Sequence, residues 1–472
     1  MERGRSFFTP LALVAAGVAL AGGNACSRTE DPREYYGNSA RAGAAPSQSG
    51  GSLGSGAQPS QQAGSSSVGS AAATGGSHGN GAESSGGAPE GGAPPAPIDV
   101  ATELGCGEPP ISTEAFSQQG LRAAAADCAQ YHYCRFESGA RILQEHVAGY
   151  VDAPDERTLT AARTAFAQAN ALWSVAELFQ FGPVGSSAVS MGKDIYQGQG
   201  LRELIYSWPT TVRCRVEEEV ALQDYLEDMR SVPVSARGLF GLEYLLYYPG
   251  ADTACMPSSA TAKAWGKLDP SELAALKLDY ASALASDVLA QAGAIRTAWS
   301  PDGDDFRYDF VNLVGYPPEE HKTMTVMAWS LIYVEREVKD WKLGVPAGYT
   351  LSSPVILPES AYSGLGTENL RANLRGFRAL FQGCGEGGEG LGFDDWLIEQ
   401  NNGALAADII TAWQNAQSAA DSFPRFADAS PTELKALYSA VKALTDLVKS
   451  DLFGDGSTLN LDLPEGVASD TD

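Results

Sequence analysis

TLTAARTAFAQANALWSVAE, Thr158 to Glu177, sets the fold class. Leu159, Ala162, Phe166, Ala169, Trp173 and Ala176 recur at spacings of three and four. They therefore line one face of a helix and leave the polar residues on the other. The same pattern runs from about residue 102 to 454. Asp269-Pro270-Ser271-Glu272 opens a second helix, with Asp269 as cap, Pro270 in the first turn and Glu272 at the capping-box position. Ser430-Pro431-Thr432-Glu433 repeats that signature, and Met324 to Lys342 reads as one further long helix. Alternating segments bounded by hairpin turns are largely missing, so the expected fold is all-α, built of two packed helical bundles.

The residues ahead of these helices read differently. Residues 1–26 have a positive start at Arg3 and Arg5, an apolar run from Leu11 to Ala21, and small residues leading to Cys26. That is an export signal, too short to span a bilayer. A cysteine in this position resembles a bacterial lipobox, which makes Cys26 the expected lipidation site and the lipid bilayer a partner. Residues 27–101 follow as a tether, and 37–98 are almost wholly Gly, Ser, Ala, Gln and Pro. Such a composition buries too little apolar surface to offset its chain entropy. The expected organisation is a signal over 1–26, a tether over 27–101 and an all-α domain over 102–472.

Of seven cysteines, removing Cys26 leaves Cys106, Cys128, Cys134, Cys214, Cys255 and Cys384, an even set. In an exported chain that pattern implies disulfides. Cys214 with Cys255 is the favoured bridge, because the two flank the apolar segment Arg237–Gly250; the other pairings stay open. The net charge of −26 excludes nucleic acid as a partner through phosphate repulsion.

Several chemical signatures are absent: no HExxH, no GxSxG and no phosphate-binding P-loop occurs. Outside the tether the histidines are His132, His146 and His321, none with another at ligand spacing. Cys128, His132 and Cys134 are read as disulfide cysteines around a histidine. Asp302, Asp304, Asp305 and Asp309 lack the spacing of a calcium loop. Glu217-Glu218-Glu219 is read as a solvated helix face. Glu243 differs, because Leu239, Leu242, Leu245 and Leu246 bracket it in RGLFGLEYLLYYPG, 237–250. A carboxylate there must be paired, hydrogen-bonded, metal-bound or protonated. Pairing, for instance with an arginine, and a ligand-facing role are both open.

An ordered set of segments resembles the imelysin family of exported bacterial α-helical proteins, some classed as metallopeptidases. The set comprises Ala171-Leu172-Trp173 through Glu177 to Gly182-Pro183, Trp208-Pro209, Arg237 to Leu246, Val338 to Pro346, Glu359 to Ser363, and Gly392 to Leu397. The resemblance implies an all-α fold of two helical-bundle halves with a cleft between them. Its hallmark is GxHxxE, in which histidine and glutamate ligate a metal. Here Gly238 and Glu243 hold their places and Phe240 stands at the histidine position. The peptidase motif is thus incomplete, which resembles the imelysin-like lipoproteins without that histidine. The implied function is a non-catalytic binding lipoprotein of the cell envelope, linked to iron or another divalent or trivalent cation and to envelope metal-uptake proteins. Glu243, Glu177 and Glu359 are the implied metal-facing carboxylates. The implied location is membrane-anchored, in the outer membrane on its periplasmic or cell-surface side. A metallopeptidase is the alternative, and a surface structural or adhesive protein a second one.

Overall fold

Small residues let the two leading helices meet closely. In the computed structural model, α1 (Gln118–Asp152) places Gly139 so that a Cβ there would lie 2.7 Å from Leu172 of α2 (Glu156–Ala176). Ser117 caps α1 by accepting from the Gly120 N–H, and Asp155 forms a reciprocal capping box with Thr158 that starts α2. Residues 105–185, 200–316, 319–349 and 358–464 are described; the signal, Cys26 and the tether lie outside them. Among the described residues there is no β-strand, only an isolated bridge between Phe453 and Leu461.

The first half of the helices gathers on α1, α2 and the long helix Pro270–Trp299, directly or through one another. It comprises α3 (Leu201–Ile205), α4 (Arg213–Leu222), α5 (Gly238–Tyr247), α6 (Ala260–Trp265), α7 (Pro270–Trp299) and α8 (Phe306–Asn312). Its core is aromatic: the Phe136 and Trp173 rings lie 4.8 Å apart, and Phe181 meets Trp299 at 5.7 Å. Asp269 caps α7 by accepting from the N–H groups of Ser271 and Glu272.

The second half comprises α9 (Glu320–Tyr333), α10 (Gly366–Phe381), α11 (Phe393–Glu399), α12 (Gly403–Ser422) and α13 (Pro431–Leu452). Ser430 and Glu433 form the capping box expected for α13. The halves join where α10 crosses α2: a Cβ on Gly376 would sit 2.7 Å from the Val175 carbonyl, so only glycine allows that approach.

The helix expected over Met324–Lys342 is present without a break but changes type along its length. After α9 the chain widens into a π-helical segment, Val334–Gly344. This segment turns Glu335, Lys339 and Lys342 inward, all nearly inaccessible to water. Lys339 lies 3.2 Å from Glu335, which also meets Lys449 of α13 at 3.3 Å. A reading based on apolar spacing does not anticipate charged residues on the inner face.

Three disulfides use all six remaining cysteines: Cys106–Cys134, Cys128–Cys384 and Cys214–Cys255. Cys128–Cys384 ties α1 to the loop after α10, across both halves.

Candidate functional site

Gly238 positions the motif. Its φ is +69°, and a Cβ would lie 2.3 Å from the Ile205 carbonyl at the end of α3. Glycine is required there by conformation and by space. Starting from that contact, α5 carries Phe240 and Glu243 into the interior, 3% and 1% exposed. The Phe240 ring packs 6.2 Å from that of Tyr362. Glu243 Oε1 accepts from the Tyr362 N–H at 3.1 Å, the Ser363 N–H at 2.8 Å and the Ser363 hydroxyl at 2.8 Å. Glu243 therefore pins the turn that carries Glu359. Among the described residues it forms no ion pair with an arginine or lysine. Burial pushes its carboxyl up to about 7, against the three hydrogen bonds, which favour the charged form.

The other two glutamates meet on one cation. Lys342 Nζ lies 3.0 Å from Glu177 Oε1, 2.8 Å from Glu359 Oε1 and 2.7 Å from Asn373 Oδ1. It also lies 5.7 Å from the centre of the Tyr333 ring. Asn373 Nδ2 donates to Glu177 Oε1 at 3.0 Å and to the Ser174 carbonyl at 2.6 Å. Arg202 approaches the other Glu177 oxygen at 3.8 Å. Burial works to raise the Glu177 carboxyl, but Lys342 and Arg202 outweigh it, and the group is held ionised. Burial pushes Glu359 up, with Lys342 opposing. Lys342 stays protonated: burial disfavours its charge, and Glu177 and Glu359 more than restore it. The three glutamates named from sequence thus surround one region, and the buried Tyr206 hydroxyl feels the charge of Glu359, Glu243 and Glu177.

The family's metal does not fit these residues. Phe240 has no donor atom, Glu243 Oε1 is taken by three N–H and O–H groups, and an ammonium already stands among Glu177, Glu359 and Asn373. Among the described residues, only Cys128, His132 and Cys384 form a set of three or more potential ligands within 4.8 Å of one another. Those two cysteines are bonded to each other, and a disulfide is a poor ligand.

The reading of Glu217-Glu218-Glu219 as a solvated face is corrected. Glu217 is fully buried and accepts from Arg213, from the Tyr244 and Thr253 hydroxyls, and from the Ala254 N–H. Glu219, also buried, accepts from the Tyr225 N–H. Only Glu218 makes a surface pair, with Arg215. The cause is packing of α4 against α6 and α7, which a run of like charges does not reveal. Sequence reasoning also missed Lys342, Asn373 and Arg202 as site residues. The available signal was a lysine within the quoted segment Val338–Pro346.

Described by its architecture, the molecule is an all-helical protein whose two halves enclose carboxylates neutralised by a lysine. Its sequence matches the family profile described as Imelysin over residues 129–450, and the chain belongs to that family. The fold is similar to an imelysin-like protein from Psychrobacter arcticum, at 16% identity and TM-score 0.54, covering 75% of this chain and 99% of that one. It is also similar to a protein assigned as an iron-regulated protein A precursor from Parabacteroides distasonis, at 14% identity and TM-score 0.52, covering 72% and 96%. No curated protein matches the sequence.

Proposed function

We propose that this protein is a non-catalytic binding lipoprotein of the bacterial cell envelope that serves iron supply, with no metal ion at the imelysin motif. The observation that carries this reading is Lys342, whose ammonium supplies the positive charge among Glu177, Glu359 and Asn373. Zinc catalysis needs three protein ligands and an open position for water, and the motif lacks its histidine. Export is supported by the signal-like first 26 residues and by three disulfides. Iron is supported by the name of the Parabacteroides neighbour.

The test is metal analysis of the purified mature protein together with a peptidase assay. The expected result is no stoichiometric zinc or iron held at the motif and no activity sensitive to chelators. Peptidase activity abolished both by chelators and by Glu243→Gln would overturn the proposal.

A further inference from the structure

A cavity of about 500 Å3 is lined by none of Gly238, Phe240, Glu243, Glu177, Glu359 and Lys342. Its walls include Tyr131, His132 and Arg135 from α1, Val175 from α2, Arg375 and Arg378 from α10, and Trp413 from α12. Three guanidinium groups line one cavity of a chain whose net charge is −26. Their accounts differ. Arg378 donates to Gln382 Oε1 at 3.1 Å and to the Glu386 carbonyl at 3.0 Å, and lies 4.9 Å from the Trp413 ring centre. Arg135 lies 5.6 Å from the Tyr131 ring centre, and its buried Nε has no hydrogen-bond partner. Arg375 has no hydrogen bond and no ion pair within 4.0 Å among the described residues. Arg375 is solvent-exposed; partial desolvation of its guanidinium works against its charge, Asp421 supports it, and Arg371 and Arg135 oppose it.

Two carboxylates reach the same lining. Asp421 is engaged by Gln417 at 2.9 Å and by Arg371 at 3.8 Å, and Glu386 is solvent-exposed. His132 is buried, with its Nε2 lacking a partner. Burial and Arg135 hold its imidazole neutral, with a pKa of about 3. The cavity therefore offers excess positive charge and two aromatic walls. Guanidinium forks match carboxylates in geometry and charge, and the volume is that of a small-molecule site.

We propose that this cavity binds small polycarboxylate anions, free or carrying a ferric ion. Several charges distributed around one cavity fit an anion whose carboxylates are spread over a carbon skeleton, and the indole and phenol rings cover that skeleton. The ferric form rests on the proposed role in iron supply; the anion site itself does not.

The test is calorimetric titration of the mature full-length protein with citrate, ferric citrate, inorganic phosphate and acetate at matched ionic strength. The expected result is saturable binding of citrate or ferric citrate, and at least tenfold weaker binding of phosphate and acetate. Arg375→Gln should weaken citrate binding at least tenfold and leave the helical circular-dichroism spectrum intact, because it removes a guanidinium with no protein partner. Arg135→Gln is the second variant should the first not fold. Absence of binding by both citrate forms at millimolar concentration would overturn the site, as would equal binding of phosphate or unchanged binding in both variants. Equal binding of citrate with and without iron supports the site while counting against the role in iron supply.

Discussion

Lys342 and Glu243 are both buried in the same region, yet their charges are handled in opposite ways. Lys342 shares its proton-bearing group among three oxygens. Lys342→Met leaves Glu177 and Glu359 without their common cation. Breaking a buried pair from one side costs about 3–5 kcal/mol, so urea denaturation should show a loss of that order. The loss should be greater at pH 8 than at pH 5, since the orphaned carboxylates can protonate in acid. Glu243 has only neutral donors, and its folded pKa of about 7 lies above the usual carboxylate value. Between the unfolded and folded values the native state holds a proton that the unfolded state releases. Stability from this group is therefore lost as pH rises through that window. Glu243→Gln keeps an oxygen for Tyr362 and Ser363 and removes the titration. It should be near neutral at pH 4.5 and stabilise the protein at pH 8 by an amount on the order of 3 kcal/mol. Glu219 and Asp394 are also raised to about 7, so the comparison must be made between variant and parent at each pH. Equal effects of the substitution at both pH values would contradict this account of Glu243.

At the scale of elements, the entry of α5 depends on Gly238. Gly238→Ala should destabilise by about 1–3 kcal/mol from the left-handed backbone alone, with further crowding against the Ile205 carbonyl. A thermal melt checks this; an unchanged melting temperature would remove the geometric reason for the motif glycine. Helix faces and caps were legible in the sequence because they depend on neighbours three or four residues away, as at Leu159–Ala176 and Ser430–Glu433. The three oxygens around Lys342 come from residues 17, 31 and 165 positions away, which no local pattern encodes. The π-helical segment was missed because its inward residues are charged. Arg371, Arg375 and Arg378 were visible at spacings of four and three, but charged residues at helical spacing ordinarily mark a solvated face. Arg375 is indeed exposed, but Arg371 donates to the carbonyls of Ala420, Asp421 and Phe423 at the end of α12, and Arg375 and Arg378 both line the cavity.

For the whole molecule, the proposed attachment to a membrane rests on Cys26, which lies outside the described residues. Among the described residues no helix is long and apolar enough to cross a membrane. Cys26→Ser should move the protein from the membrane to the soluble fraction, as followed by fractionation and immunoblotting. Retention in the membrane would mean a different or additional anchor. The Cys128–Cys384 bond has another consequence at this scale. One backbone cut anywhere between those residues does not release a fragment; it creates a two-chain molecule. Glu177 and Lys342 both fall within that interval, so even a cut that separates them along the backbone leaves them on covalently joined pieces. Such a nicked form runs as one band without reductant and as two with it.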